Sequence, residues 1–156
     1  MPGGPREPAD PPLFSDRMSG IAYANAFEMV DAYLARYSDS AGMEIAALDP
    51  TGYTQVKRGS AYIGINVLED NGVLMLLAPI MEVPAEGRER FYRKLLELSF
   101  LATNDAAFAI DGAKDLVYVR ALRRLSALDY EEFEDLLQTV GAVADEWDDA
   151  LKQDFG

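Results

Sequence analysis

The chain has 156 residues, no cysteine and no histidine, and 27 acidic against 14 basic side chains, for a formal net charge of −13. Thiolate chemistry, imidazole acid–base catalysis and ordinary zinc sites are therefore excluded, and nucleic acid or an anionic membrane should be repelled, since binding either begins with Lys and Arg displacing counterions. A length of this order suits one domain burying roughly 70% of its unfolded surface without disulfide or metal; with no apolar run of roughly 18 residues and no signal-peptide core, a cytoplasmic location is expected.

Residues 1–18 contain Pro2, Pro5, Pro8, Pro11 and Pro12 with Gly3 and Gly4. Such a composition cannot sustain a helix or a buried strand, and it predicts a disordered leader ahead of a single domain over 19–156. Leu13, Phe14 and Met18 are the apolar exceptions, suited to a short segment docking on the domain. From Ile21 to Tyr37 the residues Tyr23, Phe27, Val30, Leu34 and Tyr37 keep helical spacing and mark a first helix. Met43 to Leu48 reads as a short strand, closed by Asp49-Pro50-Thr51-Gly52, which has the Asp, Pro and Gly positions of a type I turn. Tyr53 to Val56 and Ala61 to Leu68 alternate as a half-buried strand does, with Gly59 marking a bend or bulge. Asn71-Gly72 suits a two-residue hairpin turn, so Val73 to Ile80 should return antiparallel.

Pro84 fits the first turn of a second helix running to about Ala102. Phe91, Leu95, Leu98 and Ala102 form one stripe on it, while Tyr92, Leu96 and Phe100 lie about 100° around the axis. An arc this wide exceeds what one sheet covers and points to a second contact, either a homodimer interface or other helices of the same subunit. Its charges pair at i,i+4 as Glu86 with Arg90, Glu89 with Arg93 and Arg93 with Glu97. Ala106 to Ile110, a turn at Asp111-Gly112, and Leu116 to Ala121 then form a further hairpin.

The last segment opens with Asp129 and Glu132 as a capping box and Leu128 with Phe133 as a hydrophobic staple. Tyr130, Phe133, Leu137, Val140, Ala144, Trp147 and Leu151 share one helical face, while ten acidic side chains and a single lysine occupy the rest from Asp129 onward. The stripe is either a terminal helix packed on its own domain or a seam for a partner. The elements together predict an α+β fold: a mainly antiparallel five-stranded sheet with three helices, in the order α-β-β-β-α-β-β-α.

No constellation carries chemistry. Asp145, Glu146, Asp148 and Asp149 point in different directions around a helix and read as a solvated face rather than a cation cage. Asp49 to Gly52 and Glu69 to Gly72 are explained as turns, and Gly59-Ser60-Ala61 lacks the phosphate-loop pattern. Lys57 with Arg58, and Arg120 with Arg123 and Arg124, should neutralise the molecule's own carboxylates. No catalytic residue, cofactor or metal is expected; the better functional lead is a sheet edge that accepts an extended peptide.

Several segments carry a family resemblance: Arg58-Gly59-Ser60-Ala61-Tyr62-Ile63, Leu76-Leu77-Ala78-Pro79-Ile80, Val83-Pro84, Leu95-Leu96-Glu97-Leu98-Ser99 and Ala107-Phe108-Ala109-Ile110-Asp111-Gly112. In this order and spacing the chain, over roughly residues 20–150, resembles the YbjN-like and Tir-chaperone (CesT) group of type III secretion chaperone-like domains. The resemblance implies the helix–strand order above, dimerisation through the middle region, no enzymatic activity and, in the secretion chaperones, a surface that wraps an unfolded effector segment. The proline-rich leader departs from that pattern. The resulting expectation is a non-enzymatic binding module, a homodimer that holds an unidentified protein or peptide segment, with Tyr92, Leu96, Phe100, Tyr130 and Trp147 as its partner or dimer interface. The alternative is a YbjN-like regulatory or sensory domain that modulates another protein without chaperoning secretion.

Overall fold

The computed structural model describes residues 20–101, 103–126 and 128–156. The expectations for the leader, and for the second helix at Ala102, lie outside that set. In chain order the elements are α1 (Ala26–Ala41), β1 (Tyr53–Arg58), β2 (Ala61–Leu68), a 3-10 turn (Glu69–Asn71), β3 (Val73–Glu82), α2 (Arg88–Leu101), β4 (Ala107–Asp111), β5 (Leu116–Arg124) and α3 (Tyr130–Phe155). The strands form one sheet in the order β1-β2-β3-β5-β4, antiparallel at every junction. The α+β class, the five strands and the element order therefore agree with the sequence.

Helix α1 begins later than the apolar spacing suggested, at Asn25, whose side chain accepts from the Glu28 amide at 2.9 Å. It ends at Gly42 in the left-handed region with φ 65°, where glycine has no Cβ penalty. Met43 to Leu48 is not a strand. Its polar groups are satisfied by neighbours: the Met43 amide donates to the Ser38 carbonyl, the Leu48 amide to Asp31 Oδ1, and the Thr54 hydroxyl to the Ala46 carbonyl. The missing strand is made up at Gly59, which with φ 59° forms a tight turn and divides one expected strand into β1 and β2, paired Arg58 to Ala61. The Asn71-Gly72 turn is also longer than expected. Glu69 to Gly72 link the pair Leu68–Val73, and only Gly72 has a positive φ.

One face of the sheet carries Ile63, Ile65, Leu74, Leu76, Val117 and Val119, all fully buried. Helix α3 lies across β2, β3 and β5 on that face, with α1 beside it, and α2 sits against β4. The terminal stripe is core: Phe133, Leu137, Val140 and Leu151 are at most 1% exposed. Asp129 caps α3 through the Glu132 amide at 2.8 Å, and Leu128 and Phe133 are both buried, as a staple requires. Tyr33 joins α1 to the start of α3, its ring against Tyr130 and Phe133 and its hydroxyl donating to the Leu128 carbonyl at 2.6 Å.

Candidate protein-binding surfaces

Helix α2 turns Phe91, Leu95 and Leu98 into the core, where Phe91 meets Phe155 of α3 with ring centroids 5.1 Å apart. Its end is tied to the sheet edge: the Phe108 amide of β4 donates to Ser99 Oγ, and the Thr103 hydroxyl donates to the Ser99 carbonyl. With the helix thus fixed, the residues a quarter turn around the axis face outward. Leu96, Phe100 and Leu101 are 73%, 87% and 81% exposed, and Ile110 of β4 is 40% exposed. Tyr92 is half-buried beside Phe91. An exposed apolar cluster of this kind along one element is what an interaction surface looks like.

The other expected interface residues lie elsewhere, on α3. Tyr130 is 3% exposed, enclosed by Tyr33, Phe133 and the Arg36 guanidinium 4.0 Å over its ring, so it belongs to the subunit interior. Burial raises the pKa of its hydroxyl, with Glu134 adding to that. Trp147 is half-buried beneath α2, with Lys94 Nζ 5.7 Å from its ring centroid. Its indole Nε1 is buried with no hydrogen-bond partner among the described residues.

Among the described residues, none covers the sheet face opposite the helices. Because strand side chains alternate, it presents Tyr53, Tyr62, Leu77, Pro79 and Tyr118. Two adjoining depressions of about 420 and 270 Å3 share Leu77, Lys114 and Tyr118 in their walls. Gly64 forms the floor of the smaller one, and the Tyr53 ring lies over it so closely that a Cβ there would sit 3.2 Å from Tyr53 Cε2. Sequence reasoning missed this surface. The alternation of β1 and β2 was visible, but which tyrosines shared a row depended on strand pairing that only the fold supplies.

The acidic end of α3 is only partly the solvated face expected. Glu146 and Asp149 are exposed, but Asp148 is 9% exposed and, with Asp145, holds the β1–β2 turn: the Ser60 hydroxyl lies 2.6 Å from Asp145 Oδ1 and 3.1 Å from Asp148 Oδ2. The Ser60 hydroxyl and then its amide keep the Asp145 carboxyl below the usual carboxylate range. The turn packs tightly there, since Arg58 crosses Gly141 where a Cβ would meet Arg58 Cδ at 2.8 Å. Among the described residues no group of three or more His, Cys, Asp or Glu is arranged to hold a metal ion. The basic clusters divide as well: Arg123 pairs with Asp105 at 2.9 Å, whereas Lys57 lies over the Tyr62 ring and Arg120 lines the larger depression. Of the expected pairs on α2, Arg93–Glu97 forms at 3.0 Å, while Arg90 turns to α3 and stacks on Phe155. No described helix is long and apolar enough to cross a membrane.

The scaffold is thus a five-stranded antiparallel sheet in the order β1-β2-β3-β5-β4, covered by helices on one face and edged by a helix with bare apolar residues. The Tir chaperone protein (CesT) family profile matches residues 36–148, and the chain belongs to that family. Its fold is shared with the ExsC–ExsE complex structure, with a TM-score of 0.66 and 22% identity over 81% of this chain and 96% of that one. It is shared too with the heterodimeric ExoU–SpcU complex from the type III secretion system of Pseudomonas aeruginosa (TM-score 0.57, 16% identity, 75% of this chain and 93% of that one). The HopA1–SchA chaperone–effector complex gives 0.55 and 11% identity over 76% and 97%. No curated protein matches the chain.

Proposed function

We propose that this protein is a non-enzymatic, cytoplasmic chaperone that forms a homodimer through the outer side of α2 and the adjoining edge of β4, and that each dimer holds an extended segment of a partner protein. The observation that carries the reading is the bare apolar row Leu96, Phe100 and Leu101, together with Ile110 at the sheet edge. Leaving so much apolar surface in water has no benefit for a lone subunit, whereas pairing α2 with its symmetry mate removes it from solvent on both copies. Membership of the Tir chaperone protein family, and folds shared with proteins solved in chaperone–effector complexes, support the partner-binding part.

Light scattering at tens of micromolar tests the dimer. Wild type should have twice the subunit mass, and Leu96→Glu with Phe100→Glu should yield a folded monomer, because carboxylates cannot be left unsolvated in an apolar contact. A wild-type monomer overturns it. For the chaperone role, affinity purification of the intact chain from its native organism should recover one protein in stoichiometric amount, held by a segment that lacks a folded core; recovery of no such protein counts against it.

A further inference from the structure

The sequence suggests that Lys57, Arg120 and Arg124 neutralise carboxylates of their own chain, but the fold does not use them so. Lys57, Lys114, Arg120 and Arg124 are all exposed, and the ion pairs among the described residues are formed by Arg36, Arg88, Arg93 and Arg123 instead. The strand registers gather the unpaired cations on one surface. Lys57 stands opposite Tyr62, Arg120 opposite Leu77 and Arg124 opposite Val73, all on the sheet face turned away from the helices, and Lys114 lines both of its depressions. The carboxylates that the strands place on this side are Glu82 and Asp111, on either side of Leu116 at one end of the sheet. Asp111 accepts from the Ala113 amide of its own loop at 3.0 Å, and Asp115, next to Lys114, is taken by Arg88 at 3.4 Å. A chain of net charge −13 thus carries a face on which cations outnumber carboxylates.

We propose that this face takes an extended segment of the partner protein in which carboxylates are interspersed with apolar side chains, an assignment that rests on the chaperone reading above. Tyr53, Tyr62 and Tyr118 offer broad rings that lose little side-chain freedom on contact, and their hydroxyls can donate to carboxylates. The dimensions suit a short stretch of chain. The two depressions together run from Tyr53 and Gln55 of β1 to Ala109 and Asp111 of β4, across the whole sheet. Four strand intervals of about 4.8 Å make roughly 19 Å, which about six extended residues cover. Charge then sets the selectivity, because the cations that attract an acidic segment repel a basic one.

Titration of the 15N-labelled intact chain with two synthetic peptides of about eight residues tests this, one repeating Asp-Asp-Leu-Leu and the other Lys-Lys-Leu-Leu, so that each side of the extended peptide shows both charge and leucine. At low salt the acidic peptide should bind about tenfold tighter or more, the opposite of what a net charge of −13 dictates, and should shift the amides of Tyr62, Gly64, Leu77 and Tyr118. Lys57→Gln with Arg120→Gln should abolish the preference, and Lys57→Glu with Arg120→Glu should reverse it, with the rest of the spectrum unchanged. The inference is overturned if wild type binds the basic peptide as well or better, if the shifts are confined to α2 and β4, or if the preference survives the substitutions. It is overturned too if an oligothymidylate shifts the same amides as strongly as the acidic peptide, or if those amides shift with protein concentration alone, which would mark the face as a contact between copies. None of these results touches the chaperone reading, whose failure shows instead as no client in the affinity purification.

Discussion

Single residues at the junctions of elements settle how the helices meet the sheet. Tyr33 is the clearest, because its ring packs among Tyr23, Tyr130 and Phe133 while its hydroxyl satisfies the Leu128 carbonyl at 2.6 Å just before α3. Tyr33→Phe keeps the ring and leaves that buried acceptor without its donor, so it should cost about 1–3 kcal/mol in a denaturant titration, with the slope unchanged. A loss below a few tenths would mean that water replaces the hydroxyl. Gly52 is fixed by space and by backbone. With φ 83°, a Cβ there would lie 2.7 Å from the Val67 carbonyl oxygen and 2.8 Å from Phe27 Cε1. Gly52→Ala should therefore destabilise by more than the roughly 1 kcal/mol that an alanine usually gains at a compatible glycine, visible as a lower melting temperature.

Among the elements, β1 is held at both ends by carboxylates. Asp49 Oδ1 accepts from the hydroxyl and amide of Thr51 and from the Tyr53 amide before the strand, and Asp145 holds Ser60 after it. Both pKa values are lowered, mainly by the Thr51 hydroxyl in one case and the Ser60 hydroxyl in the other. A carboxyl with a depressed folded pKa contributes stability that is fully present above its unfolded value and lost as pH falls through the folded one. Acidification into and below the ordinary carboxylate range should thus release β1 first. Hydrogen-exchange protection factors, taken relative to the intrinsic rate at each pH, should fall in Tyr53 to Arg58 before they do in β3 or β5, and in Asp145→Asn the Ser60 end should already be poorly protected at neutral pH. Uniform acid loss across the sheet would refute this. The first of these turns also shows where sequence reading succeeds. Asp49 to Gly52 was legible because its side chain acts locally, and the Asp129 cap and the two stripes of α2 were legible for the same reason. The irregular course of Met43 to Leu48 was not, because it is set by Asp31 of α1 and Thr54 of β1, contacts distant in sequence.

At the scale of the molecule, the exposed row Leu96 and Phe100 could be read from helical spacing, whereas the tyrosine face required the strand order, and Tyr130 and Trp147 needed the packing of α1 and α2 on α3 to be placed. Charge is the remaining property that belongs to the whole chain. A net −13 is unbalanced by the four ion pairs among the described residues, all between side chains at least one-third exposed and each worth about 0–1 kcal/mol. Long-range repulsion should outweigh these attractions, and the proposed dimer would bring two such chains together. Screening removes the long-range part first, since the Debye length falls from about 30 Å at 0.01 M to about 10 Å at 0.1 M salt. Calorimetry in sodium chloride, a salt that avoids the strong exclusion effects of sulfate, should therefore show the melting temperature rising by a few degrees over that range, and the proposed dimer should tighten in parallel. Changing the exposed Glu146 and Asp149 to Gln and Asn should leave the fold intact and reduce the salt response, because it removes repulsion on α3 without touching the carboxylates that hold Ser60. A melting temperature that is flat or falls with salt would mean that attraction, not repulsion, governs the charged surface.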